Sequence, residues 1–136
     1  MEIEYFSRYG QNARNFPYSR NHSVTDFTLS ETGYFVRVYG GRDSEIVGSW
    51  ILRIEDLRRY RNVDELIESL ALPSRPTRIA LVEVPEGTII RKSTAAAQEW
   101  TQGQVLRGGG AQYELRTTLN RGQFQELYNN IDDFFK

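Results

Sequence analysis

The chain contains no cysteine, which removes a disulfide scaffold, a thiolate zinc site and a cysteine nucleophile together. Histidine occurs once, at His22, too little for a histidine-rich metal centre or a Ser-His-Asp triad, and no metal is expected. An excess of one charge is also lacking: 17 basic and 18 acidic side chains leave a formal net charge of −1. Sequence-independent nucleic-acid binding ordinarily needs a strongly basic face, so no nucleic-acid partner is expected. No apolar run approaches the roughly 20 residues of a transmembrane helix, so no membrane span is expected either. The opening Met1-Glu2-Ile3-Glu4-Tyr5 lacks the basic-then-apolar layout of a signal peptide.

What is present describes an ordinary folding domain. The chain has 136 residues, 39% apolar and 26% charged, enough for one hydrophobic core. Residues 1–30 are polar and irregular, with aromatics that follow no clean period, and read as an arm packing a few rings on the domain formed by residues 31–136. Tyr34 to Tyr39 has strand composition, and Gly48 to Arg53 reads as a second strand. Leu57, Tyr60, Val63, Leu66, Ile67 and Leu70 recur at helical spacing, with Asn62 placed to cap a helix. Thr77 to Val84 is the clearest strand and Pro85 to Thr88 a turn; Ile89 to Arg91 is extended again. Thr94 to Trp100 suits one or two helical turns. Gln104 to Leu106 and Gln112 to Thr118 are strands on either side of Gly108-Gly109-Gly110. Asn120 is placed to cap a final helix burying Phe124, Leu127, Tyr128, Ile131 and Phe135. The expected class is α+β.

Three glycines in succession within a strand pattern are costly, about 0.5–1 kcal/mol each relative to alanine in regular structure. They imply positive φ, or a close approach to the backbone; the freed amides of Gly109 and Gly110 can cup an anion or a sugar hydroxyl. Just beyond them, Gln112 and Glu114 share one strand face. An amide and a carboxylate there can receive ribose hydroxyls, and a glutamate can stabilise an oxocarbenium ion; a solvated strand face would look the same. Arg37 lies between Phe35 and Tyr39 on one face, suited to a phosphate with flanking rings or to a sheet-surface cation–π contact. Ser49 and Trp50 follow a glycine and can line the same cleft, although a tryptophan is more often core. His22 reads as a surface residue.

The succession Tyr34-Phe35-Val36-Arg37-Val38-Tyr39, Ala71-Leu72-Pro73, Val84-Pro85-Glu86-Gly87-Thr88 and Gly108-Gly109-Gly110-Ala111-Gln112-Tyr113 resembles the NAD-glycohydrolase toxin domains related to the tuberculosis necrotizing toxin. The resemblance spans roughly residues 34 to 128, and its glycine-rich piece is the most specific. It implies a compact fold akin to ADP-ribosyltransferases, with two small sheets flanking a cleft that holds NAD(P) as substrate and no separate cofactor. It implies hydrolysis of the nicotinamide–ribose bond by a C-terminal domain of a polymorphic or contact-dependent bacterial toxin. Such a domain is secreted or delivered, acts in the target-cell cytosol, and is blocked by a cognate immunity protein. Carried over by position, Arg37 holds the phosphates and Gln112 acts at the ribose. Tyr39 and Trp50 are stacking candidates.

Three other functions fit the residues. Gln112-Tyr113-Glu114 reads Q-x-E, a pattern of mono-ADP-ribosyltransferases, in which Glu114 activates the acceptor and Ser49 supports the NAD site. A toxin ribonuclease is less suited to one histidine and a near-neutral charge. A non-catalytic binding module would make the glycines a simple bulge.

Overall fold

The computed structural model describes residues 16–42 and 44–136; the sequence readings on residues 1–15 and on Asp43 fall outside them. The described residues form an α+β protein with three small antiparallel sheets and two helices. The strands are β1 (Thr25–Thr28), β2 (Gly33–Tyr39), β3 (Trp50–Ile51), β4 (Arg78–Val84), β5 (Ile89–Thr94), β6 (Gln98–Thr101), β7 (Gln104–Leu106), β8 (Ala111–Leu115) and β9 (Phe124–Tyr128). Helices α1 (Ile54–Leu57) and α2 (Val63–Leu70) lie between β3 and β4.

One sheet has the order β1-β5-β8-β3, a second β2-β4-β9, and β6 with β7 makes a hairpin. The second sheet is covered on both faces, because alternate residues of its strands enter different cores. Phe35, Val82, Val84 and Phe124 pack with Ile51, Ile90, Tyr113 and Leu115 of the four-stranded sheet. Val36 and Ile79 pack instead with Leu57, Val63, Leu66 and Leu70 of the helical segment and with Ile131. Strand β3 joins the two sheets: Trp50 and Ile51 pair with β8, while Leu52 forms an isolated bridge to Val36.

Asn62 caps α2 as expected, its Oδ1 accepting from the Glu65 amide at 3.0 Å. The expected C-terminal helix is absent. Gln123 Oε1 does accept from the Asn120 amide at 3.1 Å, as in a capping box, but over a single 3-10 turn (Arg121–Gln123). The chain then extends as β9 along β4, leaving Leu127 44% exposed. An open edge on β4 outweighs the helical spacing of these residues. Thr94 to Trp100 is likewise not helical: Gln98–Thr101 is a strand folded back on β7, and Gly103 at φ +82° makes the turn. Within the segment expected to be irregular, Thr25–Thr28 pair with Ile89–Lys92.

Candidate active site

A cleft of about 660 Å³ is lined by residues of β2, β3 and β8. Arg37 and Val38 reach it from β2, Trp50 and Ile51 from β3 with Leu52 just beyond it, and Gln112 from β8. The chain from Leu70 to Ser74 and Pro76 forms one wall, Ala96, Gln98 and Trp100 another, and Pro17 also contributes. This volume suits a drug- or cofactor-sized ligand.

Three of the residues singled out in the sequence therefore meet at one cleft: Arg37, Trp50 and Gln112. Arg37 is half-buried and tied to the backbone. Its Nε donates to the Glu45 and Ile46 carbonyls, Nη1 to Trp50 and Nη2 to Glu45, at 2.9–3.2 Å. The guanidinium has five N–H donors, so each terminal nitrogen retains one beyond these bonds. Gly48 makes the arrangement possible, because a Cβ there would collide with that guanidinium. Burial lowers the Arg37 pKa from its ordinary value, yet an arginine stays charged at any physiological pH.

Gln112 is 92% buried (8% exposed). Its Nε2 donates to the Pro17 carbonyl at 3.0 Å and to Ser93 Oγ at 3.1 Å. The Trp100 ring stands at the rim, 42% exposed, its Nε1 donating to the Ala71 carbonyl at 2.8 Å. Ala71 is itself a C-cap in the left-handed region (φ +51°). The turn that ends α2 thus becomes part of the cleft wall.

The other expected residues lie elsewhere. Glu114 is fully buried outside the cleft lining. The Tyr18 hydroxyl donates to its Oε1, and Arg116 approaches that oxygen at 3.5 Å. Arg91, beside it in the β5–β8 ladder, holds Asp26 by two hydrogen bonds of 2.7 and 3.0 Å. Burial, and then the bond to Glu114, push the Tyr18 phenol well above the ordinary tyrosine value. The Arg91 guanidinium lowers the Asp26 carboxyl. Glu114 is thereby a fastening point for the segment around Tyr18.

Tyr39 is buried away from the cleft lining and donates to Glu126 at 3.2 Å. Ser49 also stands outside the lining; its carbonyl accepts from the Leu115 amide at 2.7 Å. His22 is exposed, its Nδ1 2.9 Å from Ser19 Oγ.

The glycine run has a structural occupation. The Gly108 amide donates to the Glu68 carbonyl at 3.0 Å and the Gly110 amide to Ser69 at 2.9 Å. A helix leaves its last four carbonyls without internal partners, and this distant segment supplies donors to two of those of α2. The Gly109 amide donates to Ala95 at 2.9 Å. Gly108 and Gly109 have φ of +73° and +96°, and a Cβ on Gly110 would lie 2.7 Å from the Tyr60 hydroxyl. All three amides are engaged within the fold, so none cups a ligand in this arrangement.

Pro17, Gln98 and Trp100 are cleft residues that the sequence reading did not single out. Gln98 and Trp100 lay in the stretch read as helical; the turn signal Gln102-Gly103 is the feature that would have placed them on a hairpin. Comparison of the chain with protein-family models, with curated proteins and with solved structures yields no match in any of the three. Among the described residues, no helix is long and apolar enough to cross a membrane.

Proposed function

We propose that the cleft binds NAD(P) and hydrolyses its nicotinamide–ribose bond, in a fold of the ADP-ribosyltransferase kind. The observation that carries this reading is the meeting of Arg37, Trp50 and Gln112 at one cleft of about 660 Å³. These residues come from three separate strands.

The reaction consumes one water and yields nicotinamide, ADP-ribose (or its phosphate) and a proton. Nicotinamide leaves as a neutral base, and positive charge develops on the ribose ring. The site must therefore hold the dinucleotide, face that charge with an oxygen, and admit one water. In the proposed arrangement the remaining N–H groups of Arg37 hold phosphate oxygens. The rings of Trp50 and Trp100 stack on planar bases, and the Gln112 carbonyl oxygen faces the ribose.

Transfer to a protein acceptor has less support. It would use Glu114 to activate the acceptor, and that carboxylate is fully buried among Tyr18 and Arg116. As a delivered toxin domain acting in the target-cell cytosol, the chain would require a cognate immunity protein that closes the cleft.

Incubation of purified protein with NAD or NADP alone, followed by measurement of free nicotinamide, tests the reading. Turnover is expected, and Gln112→Ala should lower kcat roughly 10²-fold while the protein remains folded. A folded Gln112→Ala variant with parental kcat would remove the residue from the reaction.

A further inference from the structure

Gln98 presents the same chemistry to the cleft as Gln112, although it comes from a different strand. It is 93% buried (7% exposed), lines the cleft, and its Nε2 donates to the Phe16 carbonyl at 2.9 Å. Only an amide nitrogen can donate to a carbonyl, so the orientation of each glutamine follows from its partner: nitrogen toward the strap, oxygen away from it. The two partners are the consecutive carbonyls of Phe16 and Pro17.

That strap is held firmly. Tyr18 bridges to Ala95, the Ser19 amide donates to Thr94 at 2.9 Å, and the Ala96 amide donates to Pro17 at 3.0 Å. The Tyr18 hydroxyl closes on Glu114. Neither glutamine Oε1 has a hydrogen-bond partner within the protein among the described residues. No buried side-chain oxygen or nitrogen of the described residues lacks one. Both oxygens must therefore reach open space, and the cleft is the space that both side chains line.

We infer that Gln98 is a second ligand-binding residue, and that Phe16 and Pro17 fix both glutamines as acceptors, so that the ligand group bound there is a hydrogen-bond donor: a hydroxyl of a ribosyl unit. The inference rests on the cleft being the ligand site proposed above, but not on the reaction. It gives the strap a role in recognition: without the two carbonyls each amide could turn, and the cleft would lose its polarity. An acceptor-lined site discriminates by leaving its oxygens unpaired when the ligand lacks the matching donor.

The test is calorimetric binding of ADP-ribose, which has no nicotinamide to lose, beside analogues lacking the 2′ or 3′ hydroxyls of one or the other ribose. The parent is expected to bind at least one deoxygenated analogue about 5- to 10-fold more weakly than ADP-ribose. Gln98→Met, which keeps the length but removes both the acceptor and the Nε2 donor to Phe16, should bind ADP-ribose more weakly and lose that discrimination; Gln98→Glu, which retains an acceptor but also loses that donor, should bind more weakly overall and still discriminate. Circular dichroism establishes that each variant is folded. The inference is overturned if the parent binds all analogues alike, if Gln98→Met discriminates as the parent does, or if the folded parent binds no ADP-ribose. Discrimination without nicotinamide release would retain this inference and remove the hydrolase reading. Release without discrimination by Gln98 would do the reverse.

Discussion

At the scale of single residues, the chain spends its most conspicuous polar groups on holding itself together. Glu114 carries no solvent exposure and is served by Tyr18. Tyr18→Phe removes one of that carboxylate's donors and should cost about 1–3 kcal/mol in urea unfolding; an unchanged midpoint would deny the fastening role. The Arg91–Asp26 pair sets an acid dependence. Because Arg91 lowers the Asp26 carboxyl, its contribution is complete above the unfolded-chain pKa of about 3.9 and is lost as pH falls through the lower folded value. Asp26→Asn should therefore be less stable than the parent at neutral pH, and the two should converge at acid pH. Parallel stability–pH curves would contradict this. The glycine run was legible as a special backbone, since Gly108 and Gly109 do take positive φ. Its purpose was not, because the partners of two of its amides, Glu68 and Ser69, stand some forty residues earlier in the chain.

At the scale of elements, β9 shows why helical spacing need not produce a helix. Phe124, Leu127, Tyr128, Ile131 and Phe135 have helical spacing, yet β4 offers an open edge. A bulge between Ile79 and Ala80 shifts the pairing, so that Phe124 opposes Val82 and Tyr128 opposes Ile79. One slipped residue exchanges the faces of a strand, and this one lets Phe124 enter one core while Tyr128 packs against the other. Amphipathic spacing over two cores is then satisfied without a helix. By contrast α2 was readable, because its cap and its buried stripe of Val63, Leu66 and Leu70 are local. Its C-cap carries strain that the sequence hides: Ala71 at φ +51°. Ala71→Gly should raise stability by up to about 1 kcal/mol, since glycine takes this conformation without a Cβ penalty. A loss of stability would mean that the Ala71 side chain contributes more to the cleft wall than its backbone costs.

At the scale of the whole molecule, the three-stranded sheet separates two cores, and the cleft is lined by residues of β2, β3 and β8. Leu66, on the helical side, and Val82, facing the larger sheet, are both fully buried. Leu66→Ala should cost about 2–5 kcal/mol. Combined with Val82→Ala, the losses should add within about 0.5 kcal/mol, because the two side chains belong to separate clusters; strong coupling would point to one continuous core. The strand residues Arg37, Trp50 and Gln112 were recognisable because local composition marks a strand and polar residues on it are conspicuous. Gln98 and the Phe16–Pro17 strap were not, because their value to the cleft comes from tertiary pairing alone.

In the proposed function this cleft hydrolyses a dinucleotide without a protein acceptor. The most direct measurement is the joint release of nicotinamide and ADP-ribose by the purified chain with NAD as its sole partner. Multiple turnovers are expected, with the two products in equal amounts. Intact NAD after prolonged incubation with the folded protein at high concentration, with NADP equally untouched, would contradict it.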